Sequence, residues 1–313
     1  MKTTISRERI DGWDRISLIN DRVTLQVFPE LGGRVTSLFN RRSNREWLWA
    51  PPTGLRLFRN RLGDSFAAGT HVGLDECIPT VAPCRWKGRE LPDHGEIWAL
   101  PWAVDAAALV DGVLSMTVDL PITPLRFARS IRLEGNCVRF DYRLQNLGAQ
   151  QEDYLWAMHP LFTLQAGDRL ELPDDVSSIR LECAAGGTTD GRGANWSWPE
   201  PFAGVRLDRL ELPDNSEGYL KAFAMPQVGE VRLRTANTGC ALSIRWDVAA
   251  TPCLGLWLTR GGYRGWHHLA VEPSNGAPDS LETAVNDWRR SGKLNPGEER
   301  TWWVEWSLHD GPG

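Results

Sequence analysis

Gly135-Asn136-Cys137-Val138-Arg139-Phe140-Asp141-Tyr142-Arg143-Leu144-Gln145 alternates apolar and polar residues strictly after a two-residue turn signal. Period-two alternation places Val138, Phe140, Tyr142 and Leu144 on one face of a strand and Arg139, Asp141, Arg143 and Gln145 on the other, which is the pattern of a half-buried antiparallel strand. The same pattern recurs outward in both directions. Leu25 and Val27, with Val23, form an earlier face; Val113, Met116 and Val118 follow Asp111-Gly112; Leu242, Ile244, Trp246 and Val248 form a later face, and Trp302, Val304, Trp306 and Leu308 close the chain. Asp111-Gly112, Gly135-Asn136 and Asn237-Thr238-Gly239 are expected to be hairpin turns between strands. One helix is expected after Asp279, an N-cap followed three residues later by Glu282, with Leu281, Ala284, Val285 and Trp288 giving its apolar face and Gly292 its end. The fold class is therefore all-β, with one or two short helices. Segments 184–201 and 211–218 read as long surface loops, and with no domain boundary visible the 313 residues are expected to form one domain.

Composition excludes several functions. The net charge is −5, from 35 Lys and Arg against 40 Asp and Glu, and no basic run interrupts the chain. That is not a nucleic-acid-binding surface. The first thirty residues carry no signal-peptide core and no stretch approaches about 20 apolar residues, so a soluble cytoplasmic protein without a membrane partner is expected, as monomer or homodimer. Six cysteines lack a C-x-x-C spacing and read as reduced thiols. Sixteen Trp against four Tyr is an unusual ratio; most will be core, though flat rings also pack on the apolar faces of sugars.

Three separated segments carry proton-transfer residues: Leu91-Pro92-Asp93-His94-Gly95-Glu96, His159-Pro160-Leu161-Phe162 and Val271-Glu272-Pro273-Ser274-Asn275-Gly276. His159 and Glu272 each precede a proline, which restricts their backbones and is expected to place both at strand ends. His94 sits in a turn, where Asp93 or Glu96 can orient it or raise its pKa. His267 and His268 point to opposite faces and cannot share a metal. With Asp75-Glu76 and His94 lacking any metal-ligand spacing, neither a metal nor a cofactor is expected. Two imidazoles and a carboxylate suit a reaction that moves protons on and off oxygen.

Taken in order, these segments resemble the aldose 1-epimerase, or galactose mutarotase-like, superfamily over nearly the whole chain. Further matches are Asn20-Asp21-Arg22-Val23-Thr24-Leu25, Pro29-Glu30-Leu31-Gly32-Gly33-Arg34, Gly73-Leu74-Asp75-Glu76-Cys77-Ile78-Pro79-Thr80, Gly255-Leu256-Trp257-Leu258 and Leu294-Asn295-Pro296-Gly297-Glu298. The resemblance implies a β-supersandwich with a sugar cleft, acting on a small-molecule sugar. It implies Glu272 as general base on the anomeric hydroxyl, His159 as the acid at the ring oxygen and His94 as supporting donor. Arg34, Asp75, Glu76 and Trp257 are further candidates for the sugar pocket. In Tyr219-Leu220-Lys221-Ala222-Phe223, Lys221 stands where galactose mutarotases carry an acid, and Pro92-Asp93-His94-Gly95 departs from their first-histidine motif. With Arg56, Arg59, Arg61, Arg260 and Arg264, Lys221 leaves room for a phosphorylated or sulfonated hexose. The alternatives are a non-catalytic sugar-binding or regulatory protein of the same fold, and a polysaccharide lyase or hydrolase, the last needing a second carboxylate.

Overall fold

In the computed structural model, Gly135 (φ 60°) and Asn136 close a hairpin between strands Leu125–Glu134 and Cys137–Asn146, paired from Glu134↔Cys137 to Leu125↔Asn146. The structure describes residues 2–54, 56–185, 193–212 and 218–311. Around that hairpin an eight-stranded antiparallel sheet forms, in the order Arg169–Glu171, Glu230–Arg234, Ala241–Trp246, Glu299–His309, Cys137–Asn146, Leu125–Glu134, Leu114–Asp119 and Ala103–Val104. A twelve-stranded antiparallel sheet packs against it, running from Thr4–Ile10, Trp13–Ile19, Val23–Phe28 and Arg34–Asn40 through Leu74–Cys77, Ala157–Thr163, His267–Ser274, Cys253–Arg260 and Gly218–Ala224 to Ser178–Ala185 and Asn195–Ser197, with Arg45–Glu46 on Arg34–Asn40.

Alternation builds the core between the sheets. Phe127, Ile131, Val138, Phe140, Leu144, Trp302, Val304 and Trp306 meet Ile16, Leu25, Leu74, Trp156, Met158, Leu256 and Val271 in one cluster extending from Ile16 to Leu308. Each such side chain removed from water contributes about 1.5–3 kcal/mol. The strands near the middle of the twelve-stranded sheet therefore have a second, outer face left for polar residues.

Several local expectations change. Leu114, not Val113, faces the core with Met116 and Val118, because the strand begins at Leu114. Asp111-Gly112 ends helix Ala106–Val110, capped by Asp105, instead of joining two strands. Asn237-Thr238-Gly239 does link Glu230–Arg234 to Ala241–Trp246. The later helix spans Leu281–Asn286 with Ser280, not Asp279, as its N-cap, since Asp279 is drawn to a buried lysine. The expected loops at 184–201 and 211–218 contain strand Asn195–Ser197, and their residues 186–192 and 213–217 lie outside the described residues.

Glu76, read from the sequence as a pocket candidate, is buried in this core. Alternation along Leu74–Cys77 turns it to the inter-sheet side, where it accepts hydrogen bonds from Arg129 Nη1, Tyr142 Oη and Trp156 Nε1, each at 2.9 Å. Glu76 and Arg129 are both 0% exposed. Removing one charge of such a pair strands the other in a low-dielectric interior, at a cost of about 3–5 kcal/mol. Glu76→Gln is expected to lower unfolding stability by about that amount in urea titration.

Candidate active site

Two prolines decide where the outer face opens. Strands Ala157–Thr163 and His267–Ser274 pair at Ala157↔Ser274 and again at Leu161↔Ala270, with no ladder pairs between. The unpaired stretch holds Pro160 and Pro273, neither of which has an N–H to donate. His159 and Glu272 face each other across this gap, each held from its other side, His159 opposite Asp75 and Glu272 opposite Gly255. Both residues are therefore mid-strand, not at strand ends as their prolines suggest. Gly255 leaves the carboxylate its space, for a Cβ there would lie 2.9 Å from Glu272 Oε2.

His159 Nε2 lies 3.8 Å from Glu272 Oε1. The turn residue His94 (φ 58°) brings its ring to 5.0 Å from that of His159, nearly perpendicular. Phe66 stacks flat on His94 at 4.0 Å and meets His159 edge-on at 5.4 Å. One carboxylate sets both partners: Asp93 Oδ1 is 2.7 Å from His94 Nδ1, and Asp93 Oδ2 accepts the Phe66 N–H at 2.7 Å. Because a carboxylate only accepts, Nδ1 of His94 carries the proton and Nε2 is the atom turned to the site. Glu96, the other candidate orienter, is engaged elsewhere by Ile122 and Thr123. Three buried polar atoms are left without hydrogen-bond partners here, His94 Nε2, His159 Nδ1 and Glu272 Oε1. Buried polar atoms are nearly always paired, so unpartnered atoms on three adjoining side chains are an invitation to a polar ligand.

The remaining candidates surround this trio. Lys221, 4% exposed, donates to Glu272 Oε2 at 2.5 Å and contacts Asp279 Oδ1 at 3.2 Å. Arg34 and Asp75 form a buried pair at 2.6 Å beside His159. Trp257 lies on the same outer face, opposite Lys221, stacked on Tyr219 and donating its Nε1–H to His268 Nε2 at 3.2 Å. Phe66, His71, His268, Trp49 and Trp266 complete an aromatic wall that no sequence motif marked; His71 meets Phe66 at 4.5 Å and Trp266 at 5.0 Å. Asp279, read from sequence as a helix cap, is also part of the cluster. Period-two alternation back from Glu272 puts Ala270, His268 and Trp266 on its face, which is how the sequence signals two of these. Among the described residues no three His, Cys, Asp or Glu are grouped as metal ligands would be, and no helix is long and apolar enough to cross a membrane.

Burial governs the protonation states. It pushes His159 well below the ordinary histidine range, with His94, Lys221, His268 and Arg34 adding to the effect. Burial raises the Asp75 carboxyl against the pull of Arg34. For Asp93 burial works upward, but the bonds to His94 and to the Phe66 amide outweigh it and hold the carboxyl below its usual value. Burial likewise opposes charge on Lys221, yet Asp279 and Glu272 overcome it and hold the ammonium protonated above its usual range.

No protein-family model matches the chain, and no curated protein matches it in sequence. Solved structures match it nearly end to end. A galactose mutarotase-like protein from Lactobacillus casei superposes with a TM-score of 0.70 at 17% identity, covering 94% of this chain and 100% of the other. The Slr1438 protein of Synechocystis also gives 0.70 at 17%, covering 99% and 97%. A galactose mutarotase related enzyme from Lactobacillus acidophilus gives 0.69 at 15%, covering 95% and 97%. The chain has the galactose mutarotase-like fold. Within this mutarotase-like β-sandwich the trio lies on the outer face of the larger sheet.

The histidines also leave a signature in stability. Burial lowers His71 to about 4, with Arg264, Arg34 and His94 assisting, and lowers His268 to about 3. The unfolded chain, with histidines near 6.5, therefore binds more protons than the folded one below that pH, so this contribution to stability falls as pH falls. Glu76, raised to about 7 by burial, works in the opposite direction. The difference between wild type and His268→Gln isolates one histidine. The wild type is expected to lose stability relative to the variant as pH drops from about 6.5 to 4.5, by up to about 1.4 kcal/mol per pH unit, in urea titrations at each pH.

Proposed function

We propose that the protein is an aldose 1-epimerase, interconverting the α and β anomers of a hexose. The observation that carries this reading is the 3.8 Å approach of His159 to Glu272 Oε1 in a cleft where that oxygen and His94 Nε2 have no protein partner. In the proposed cycle Glu272 Oε1 takes the proton of the anomeric hydroxyl while protonated His159 gives one to the ring oxygen. The C1–O5 bond breaks as the C1 carbonyl forms; rotation about C1–C2 and the reverse transfers close the ring to the other anomer. The reverse transfers return Glu272 and His159 to their starting protonation states, so nothing else is consumed. His94 Nε2 hydrogen-bonds a sugar oxygen, and Trp257 and Trp49 supply apolar faces for the ring. Acid and base assistance of this kind contributes about 10² to 10⁴-fold each. The solved structures of the same fold named for mutarotases support the reading.

We further propose that the hexose carries an anionic group held by Arg264. This arginine lies over Trp266, 5.3 Å from its ring centroid, donates to the Ala67 carbonyl beside Phe66, and has no carboxylate among its described ion pairs. Lys221 is committed to two carboxylates, Arg260 donates to the Leu210 carbonyl, and Arg56, Arg59 and Arg61 are exposed on a neighbouring loop.

Magnetisation-exchange NMR between the anomeric protons of glucose, galactose, glucose 6-phosphate and 6-sulfo-quinovose tests both statements. Exchange faster than buffer, lost by about 10²-fold or more in Glu272→Gln, is expected; no acceleration with ligand binding intact would point to a sugar-binding protein. Arg264→Ala is expected to raise KM about tenfold for the anionic sugars and to leave the neutral ones unchanged. Equal response of neutral and anionic sugars in wild type would remove the anionic reading. Since His159 must be protonated to act as the acid and its pKa lies below the ordinary 6.5, kcat/KM is expected to fall as pH rises from about 6 to 8. A flat profile over that range would exclude imidazolium as the acid.

A further inference from the structure

Lys221 and Asp279 play no part in the cycle above, yet they bring a buried ammonium and a second carboxylate up against Glu272. An ammonium at 4% exposure, with two carboxylates at 2.5 and 3.2 Å, is not available to a substrate. What it does is divide the two oxygens of Glu272. Oε2 accepts a hydrogen bond from the Lys221 ammonium and lies over Gly255, while Oε1 faces His159 and has no hydrogen-bond partner. Lys221 is placed for this by register, opposite Trp257 on the strand next to the one that carries Gly255.

We infer that Lys221, steadied by Asp279, is a positioning residue that holds Glu272 by Oε2 with Oε1 presented, and thereby keeps His159 from settling into a permanent ion pair with the base. The inference rests on the acid/base reading of Glu272 and His159. Two cations compete for one carboxylate. With the ammonium in place Glu272 already has its counter-charge, so a proton on His159 gains little from it. Without the ammonium, His159 becomes the nearest cation-forming group and would be held as imidazolium against Glu272, a resting pair in which the acid is charged but the base is occupied. The other charged or titratable groups facing the pair are His94, Asp75 with Arg34, His268 and Cys77. Arg34 is neutralised by Asp75, and His268 is held neutral by burial.

Asp279 gives the arrangement its stiffness. It precedes Ser280, the cap of helix Leu281–Asn286, and its backbone carbonyl accepts from the Val81 and Ala82 amides at 2.9 Å each. The Lys221 ammonium is thus held between a strand of the sheet and a segment anchored on the far side of the cleft. A second carboxylate also explains how a lysine is tolerated at this depth, since Glu272 alone, once protonated during turnover, would leave the ammonium unpaired.

The test compares wild type, Lys221→Met and Lys221→Arg, reading the His159 ring by the NMR shift of its Cε1–H, assigned through His159→Asn, between about pH 5.5 and 8. In wild type and Lys221→Arg the His159 signal should remain at its neutral position over most of that range. In Lys221→Met the midpoint should move up by at least one pH unit, the basic limb of kcat/KM should move with it, and kcat should fall about 10²-fold. Lys221→Gln, which can still hydrogen-bond Oε2 without a charge, replaces Lys221→Met if that variant does not fold, with the same upward shift expected. A folded Lys221→Met or Lys221→Gln with an unmoved His159 titration would overturn the inference. The titration needs no turnover, so a wild type inactive on every sugar would sink the epimerase reading while leaving the shift of His159 to decide this one.

Discussion

A fully buried carboxylate joins the two sheets directly beneath the site. Glu76 reaches from the twelve-stranded sheet to Arg129 and Tyr142 of the eight-stranded one, and to Trp156 at the start of the strand that carries His159. Arg129 continues the link to the Gly33 carbonyl, one residue before Arg34. Because these charges have no water to fall back on, sliding one sheet over the other would break several charge-assisted bonds at once in a low-dielectric interior. The outer-face residues Arg34 and Asp75, one position from Gly33 and Glu76, and His159, paired opposite Asp75, inherit that fixed register. Alternation thus makes a structural carboxylate and a site carboxylate neighbours in sequence, Glu76 and Asp75, with opposite surroundings.

On the outer face the order is reversed: pairing is deliberately incomplete. The proline gap removes ladder hydrogen bonds where His159 and Glu272 meet, and the absence of a side chain at Gly255 removes bulk. What remains are oriented polar atoms in a buried setting, held by Asp93 on one side and by Lys221 and Asp279 on the other. Preorganisation of this sort places the cost of desolvating and aligning the groups in the folding of the protein instead of in the reaction.

The all-β class was legible because period-two alternation is a local property, and the strands around Phe140, Ile244 and Val304 follow it closely. The positions of His94, His159 and Glu272 in one cleft were suggested by three proline- or glycine-flanked segments and by their ordered resemblance to a known superfamily. Other features were not legible. Glu76 and Asp75 cannot be told apart without knowing which face of Leu74–Cys77 is inward. Pro160 reads as a strand end from either neighbour alone, and becomes a mid-strand gap only when Pro273 is found opposite. Lys221 reads as a free cation in sequence because both of its acids lie more than fifty positions away. Phe66 and His71 sit in a segment with no periodicity at all, and it is tertiary contacts, among them the Asp93 bond to the Phe66 amide, that bring that segment to the site.

That bond has a mechanical meaning. Asp93 holds the His94 ring with one oxygen and the Phe66 backbone with the other, and Phe66 covers both histidines. Any outward movement of the Phe66–Ala68 turn to admit a ligand must either break the amide bond, leaving half of a carboxylate unsatisfied, or pull on the residue that fixes the tautomer of His94. The cover over the two histidines and the alignment of the first of them therefore depend on a single carboxylate, so that a disturbance of the Phe66–Ala68 turn is felt at once by the imidazole behind it.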